Sequence, residues 1–178
     1  MTESRRLLRH FVAAIAYRTQ KALRDAPDGF SEFRAGPNVR TPHELMWHMT
    51  SLMGYARTFF HGGEYAPPPV KTLAEEVLRF HAVLAALSAD LADAALTARL
   101  TDEQLLQGPL ADAMTHAGQL ALLRRLVGAP VPSENFIHAT IRADNVSASQ
   151  PAPAAPDGWW RPDLPPQPPG PIGGARRT

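Results

Sequence analysis

Thr41-Pro42-His43-Glu44-Leu45-Met46-Trp47-His48 is the stretch that decides the fold of this chain. Thr41 suits a helix N-cap, Pro42 suits the first helical position because it has no N–H to lose there, and Glu44 can reach back to the amide of the cap. A helix therefore begins at Pro42. On a 3.6-residue period its inward stripe reads Leu45, His48 or Met49, Leu52, Tyr55 or Ala56, and Phe59, which places a histidine on the face that a bundle would bury. Gly62 and Gly63 end it.

Working outward, the same periodicity recurs on both sides. From about Thr2 to Asp25, Leu8, Phe11, Val12, Ile15 and Leu23 keep helical spacing, and Pro27 with Gly29 opens a loop that runs to Arg40. After Pro67-Pro68-Pro69, Thr72 and Glu75 repeat the capping-box spacing, and Leu73, Val77, Phe80, Leu84, Leu87 and Leu91 continue a third helix. Thr101 with Gln104 predicts a short extra turn. Gly108-Pro109 then opens a fourth helix through Leu120, Leu123 and Leu126 to Gly128. Four amphipathic segments without an alternating strand pattern predict an all-α four-helix bundle over residues 1–145.

Residues 146–178 read as a separate tail. Nine of the 28 residues from Pro151 onward are proline, a composition that supports neither helix nor sheet and predicts an irregular segment. Trp159-Trp160 is unusual in such a tail, and the expectation is that it docks on the bundle or on a second subunit.

The fourth helix carries the second polar feature, Asp112-Ala113-Met114-Thr115-His116-Ala117-Gly118-Gln119. Residues four apart share a helix face, so Asp112 and His116 can grip one object, and His48 can add a third donor from a facing helix. Singly, each has a plain explanation: a hydrogen-bonded core histidine, an acid opposing the helix dipole, a buried polar network. Together, two imidazoles and a carboxylate that leave positions open suit a catalytic divalent metal, since burying them without a shared partner is costly. Gln119 could orient a ligand as its outer partner. His43 reads as an exposed first-turn residue, Glu44 as the capping acid, Tyr55 as core or cavity wall, and His81 as rim or surface. Pro132-Ser133-Glu134-Asn135-Phe136 is expected to fold back over the bundle, where Glu134 and Asn135 would line the approach of a substrate.

Composition removes several alternatives. The net charge of +1 exerts no strong pull on nucleic acid or anionic membrane. With no cysteine there is no disulfide framework, no thiolate metal site and no cysteine nucleophile, so a metal here takes nitrogen and oxygen ligands. No stretch reaches the roughly 18–20 apolar residues of a membrane span, and no signal-peptide pattern opens the chain, which leads us to expect a soluble, cytoplasmic protein.

Glu44-Leu45-Met46-Trp47-His48 at a capped second helix, and His116-Ala117-Gly118-Gln119-Leu120-Ala121-Leu122-Leu123-Arg124-Arg125-Leu126 in a fourth, resemble the DinB/YfiT-like family of four-helix metalloproteins. The likeness covers about residues 5–145. In that family one histidine of the second helix and two histidines four apart on the fourth bind a divalent metal, which the resemblance maps onto His48, Asp112 and His116. Asp112 departs from the usual histidine and resembles the branch that includes mycothiol-dependent maleylpyruvate isomerases. The resemblance implies a divalent metal (zinc, nickel, iron or manganese), a small-molecule substrate that includes a low-molecular-weight thiol, and a homodimer. The implied chemistry is that of a thiol transferase, an isomerase or a hydrolase. Two other classes compete with it: a non-enzymatic small-molecule-binding or stress-related bundle, and a non-haem iron oxygenase, whose facial site also has two histidines and a carboxylate.

Overall fold

The computed structural model describes residues 1–154, and within them every regular element is helical. Trp159-Trp160 and most of the proline-rich run lie outside the described residues. Four long helices, α1 (Glu3–Leu23), α2 (Pro42–His61), α3 (Leu73–Ala92) and α5 (Ala111–Leu126), are joined by a short α4 (Asp102–Leu105). No helix among the described residues is long and apolar enough to cross a membrane.

The predicted boundaries rest on side-chain chemistry that is present. Thr41 and Glu44 form the reciprocal capping box, with the Glu44 amide donating to Thr41 Oγ1 (3.2 Å) and the Thr41 amide donating to Glu44 Oε2 (2.8 Å). Thr72 with Glu75 and Thr101 with Gln104 repeat it. A single such cap contributes about 0.5–2 kcal/mol and fixes the phase of the helix behind it. The start of α5 is different, because no side chain caps it. Leu106–Leu110 is instead one wide π-type turn, with Gly108 at φ −88°, ψ −109°, so α4 runs into α5 across a kink.

The helices adjoin one another around a ring in the order α1, α3, α2, α5. Their directions follow from the paired residues. Arg9 meets Ser88 and Arg5 meets the Asp93 carbonyl, so α1 and α3 are antiparallel. Thr50 meets Glu76 while Arg57 meets Asp90, so α2 and α3 are parallel. That parallel pair demands a connection that returns the full length of the bundle, and residues 62–72 supply it. Trp47 Nε1 donates to the Pro67 carbonyl (3.0 Å) and Arg79 Nη1 to the Pro68 carbonyl (2.8 Å), which pin the return strap to both helices. Tyr65 of the strap lies on Gly54, where a Cβ would come within 2.0 Å of the ring.

The core is continuous from Leu8, Val12, Ile15 and Ala16 of α1 through Leu45, Met46, Met49 and Met53 of α2, Phe80, Leu84, Leu87 and Leu91 of α3, to Ala113, Ala117 and Leu120 of α5. Each fully buried large side chain contributes about 1.5–3 kcal/mol, so this shared interior holds the ring together. The inward stripe of α2 is Leu45, Met46, Met49, Met53, Ala56 and Phe60, rotated slightly from the predicted one. His48 consequently stands at the edge of the core, half-buried, and Tyr55 is exposed, packing edge-on against Phe59.

Two buried charges close the end where α1 finishes. Arg124 donates to the carbonyls of Ala22 (3.0 Å), Arg24 (2.8 Å) and Asp25 (3.1 Å), which the end of α1 leaves without helical partners, and to that of Ala129 after α5 (2.9 Å). Glu134 sits fully buried between Tyr17 Oη (2.6 Å), Lys21 Nζ (2.8 Å) and the Ala154 amide (3.0 Å). The segment after α5 does fold back, but Glu134 is an anchor against α1 rather than a wall of a substrate path. Residues 146–154 are held on the bundle by the same anchor and by His81, whose Nδ1 lies 2.7 Å from the Val146 carbonyl. His81 is therefore buried, not rim or surface, because the returning chain covers it.

Candidate metal centre

His48, Asp112 and His116 come together. One ligand atom from each lies within 4.8 Å of the others, and the two imidazole rings meet edge to face with centroids 4.8 Å apart. The convergence follows from phase. The capping box places His48 two turns into α2, and the wide turn at Leu106–Leu110 sets α5 so that Asp112 and His116 face α2. The surroundings are graded: His116 is buried, His48 intermediate and Asp112 exposed, so the cluster opens to solvent on the Asp112 side.

The protonation pattern is the telling part. His116 Nδ1 lies 2.9 Å from Gln119 Oε1, an acceptor, so in the neutral ring Nδ1 carries the hydrogen and Nε2 carries the lone pair. Nε2 is buried, has no hydrogen-bond partner, and lies 3.2 Å from Asp112 Oδ1. The short separation without hydrogen-bond geometry leaves two electron-rich atoms facing each other. Only a cation between them, a proton or a metal ion, turns that contact into a favourable one. His48 is kept neutral by its setting: burial pushes its pKa down, the nearby Arg40 guanidinium and His116 add to this, and Asp112 opposes it. A neutral imidazole is the form that binds metal.

The donor set fits a first-row divalent ion. Metal–nitrogen and metal–oxygen distances of about 2.0–2.2 Å at tetrahedral angles place two ligands about 3.3–3.6 Å apart, so the 4.8 Å cluster must contract by about 1 Å to hold an ion. Three protein ligands and an open side are the pattern of a reactive rather than a purely structural site.

The other candidates fall elsewhere. Glu44 is the capping acid and pairs with Arg34 (2.8 Å). Tyr55 faces solvent, and His43 is partly buried in the first turn of α2, outside the cluster. Gln119 is where the outer partner of His116 was expected. Sequence reading missed Arg40, which precedes the helix cap and so belongs to no helical period that could have linked it to His48. An open cavity of about 640 Å³ has Arg40 and Gln119 in its wall, and Gln119 links it to the cluster through its hydrogen bond with His116.

No family model, no curated protein and no solved structure matches this chain.

Proposed function

We propose that this protein is a divalent-metal-dependent enzyme of the DinB-like superfamily. In this reading His48, Asp112 and His116 hold the ion, and the reaction is a thiol-dependent transfer or isomerisation, or a hydrolysis. The observation that carries the reading is the buried, unpartnered Nε2 of His116 facing Asp112 Oδ1 beside a neutral His48. The sequence phrases around His48 and His116 support the superfamily, and the all-helical fold is compatible with it.

A divalent ion bound there supplies a Lewis acid that lowers the pKa of a bound water or thiol. The protein's own residues do the rest. Gln119 accepts the Nδ1 hydrogen of His116 and thereby aims the Nε2 lone pair into the cluster. Burial of His116 keeps water from competing for that lone pair, while Asp112, on the open side, leaves room for a substrate. With no cysteine in the chain, a thiol nucleophile comes from solution.

The test is metal content by elemental mass spectrometry on untagged protein purified without added metal or chelator, beside His116→Ala. Near-stoichiometric divalent metal that the variant loses supports the reading and directs a screen of low-molecular-weight thiol substrates. Absence of metal in the wild-type protein after reconstitution overturns it and leaves a non-enzymatic bundle with a polar cluster.

A further inference from the structure

The cavity beside the cluster is built on the same two helix faces as the ligands. On α5, Asp112, His116, Gln119, Leu123 and Leu126 succeed one another at three- and four-residue steps, so one stripe runs from the ligands into the cavity wall. On α2, Leu45 lies one turn before His48 and also lines the cavity. The two helices are antiparallel here, since Leu45 and the preceding loop oppose the C-terminal half of α5. The cavity therefore leads away from the cluster along α5 for about 10 Å, the rise from Gln119 to Leu126.

Its walls are of two kinds. Val39, Leu45, Leu122, Leu123 and Leu126 are apolar, with Leu122 and Leu126 53% and 55% exposed, and Asn38 and Gln119 are polar. Arg40 is the one charged residue in the wall, and it has neither a hydrogen bond nor an ion pair among the described residues. Its neighbour Glu44 feels the Arg40 charge but is hydrogen-bonded by Arg34 at 2.8 Å and by its own cap. Arg40 shares the cavity wall with Gln119, the hydrogen-bond partner of His116. An exposed guanidinium with no hydrogen-bonded acid, beside apolar side chains, suits an anion with an apolar body, and its planar fork favours a carboxylate.

We infer that the cavity binds a small amphipathic carboxylate, its head on Arg40 and its apolar body along Leu45, Leu122, Leu123 and Leu126. The inference stands apart from the metal reading, and the ligand class is a medium-length aliphatic or aryl carboxylic acid. Arg40 is a binding and orienting residue, not a metal ligand.

The experiment is calorimetric titration of full-length, metal-reconstituted protein with octanoate and with octan-1-ol, for wild type, Arg40→Gln, Leu122→Glu and His116→Ala, with metal content measured on every preparation. Octanoate is expected to bind at one site, to weaken at least tenfold in Arg40→Gln and in Leu122→Glu, and to change less than threefold in His116→Ala. Octan-1-ol binding should not respond to Arg40→Gln. Metal content should be unchanged in both cavity variants. Octanoate binding that survives Arg40→Gln and disappears with the metal in His116→Ala overturns the inference, since the carboxylate then sits on the ion. Absence of octanoate binding in metal-loaded protein overturns it and leaves the metal reading standing. Arg40-dependent binding in protein that takes up no metal does the reverse. Sedimentation velocity on the same samples covers the remaining occupant: a dimer that Leu122→Glu dissociates, with no octanoate bound, assigns this face to a second copy of the chain and overturns the inference.

Discussion

His116 Nε2 and Asp112 Oδ1 stand 3.2 Å apart, one turn of α5 from each other, with no hydrogen bond between them. If a metal ion is what reconciles them, the carboxylate contributes charge as well as a donor atom. Asp112→Asn keeps the shape and removes the charge, and Asp112→His restores a strong donor in the position the resemblance leads one to expect. Metal affinity measured by chelator competition should fall in Asp112→Asn by more than the about 10–100-fold that loss of an outer partner costs, and should recover substantially in Asp112→His. Equal affinity in all three proteins would remove Asp112 from the ligand set.

Gln119 hydrogen-bonds His116 and is not one of the three clustered ligands, so its role is orientation. Gln119→Leu removes the acceptor for Nδ1–H at an exposed site, leaving the fold intact. The expected outcome is a 10–100-fold weaker metal affinity with unchanged stoichiometry at saturation and unchanged thermal stability. Gln119→Glu, which keeps an acceptor, should retain affinity. A structural role alone would instead lower the melting temperature of the leucine variant and leave chelator competition unmoved.

The return strap yields a prediction whose sign reverses with its partner. Glycine in a helix interior is ordinarily about 1 kcal/mol worse than alanine. At Gly54 the alanine methyl would meet the Tyr65 ring at 2.0–2.3 Å, so Gly54→Ala should destabilise by about 1–3 kcal/mol in urea unfolding. In a Tyr65→Ala background the same substitution should be neutral or stabilising, because the obstruction is gone. Additive effects in the double mutant would mean that the strap does not lie on Gly54.

How much of this was legible in the sequence depends on whether local chemistry or tertiary placement decides each feature. The starts of α2, α3 and α4 were readable because a capping box is a short-range bond between residues three apart, and Thr41–Glu44, Thr72–Glu75 and Thr101–Gln104 all make it. The pairing of Asp112 with His116 was readable from helical spacing, and the kink at Gly108-Pro109 happens to preserve the phase that brings both to His48. His81 was misplaced because its burial comes from Val146, far along the chain, and no periodicity on α3 carries that information. Glu134 was misread for the same reason: its partners Tyr17 and Lys21 lie on α1, more than a hundred residues away. The parallel arrangement of α2 and α3 was equally hidden, since periodicity gives faces but not directions.

Arg124 joins the ends of two helices through one guanidinium, and its four carbonyl acceptors have geometry that only a planar, multi-donor group can satisfy at once. Arg124→Met keeps the buried length and leaves these carbonyls unpaired, which should cost about 2–4 kcal/mol by urea unfolding. Arg124→Lys should recover less than half of the loss, because an ammonium cannot span the Ala22, Arg24, Asp25 and Ala129 oxygens together. Full rescue by lysine would show that charge at the end of α1, and not the fork, is what the site needs.

The Glu134 anchor makes the C-terminal segment acid-sensitive in a definite direction. Burial works to raise its pKa, but the hydrogen bonds from Lys21, Tyr17 and the Ala154 amide outweigh burial and hold the carboxyl below its ordinary value. A folded-state pKa lower than the unfolded one means that the anchor's contribution is fully present above the ordinary glutamate pKa of about 4.3 and is lost as pH falls through the lower folded value. Hydrogen–deuterium exchange of the 146–154 region, corrected for the intrinsic pH dependence, should therefore show constant protection from pH 7 to about pH 5 and a fall below about pH 4. Glu134→Gln keeps one acceptor for Tyr17 but leaves Lys21 unpaired, so it should lower protection at neutral pH by about 1–3 kcal/mol and flatten the acid dependence. If wild type and Glu134→Gln lose protection in parallel on acidification, another carboxylate controls the release of this segment, and the anchor at Glu134 is passive.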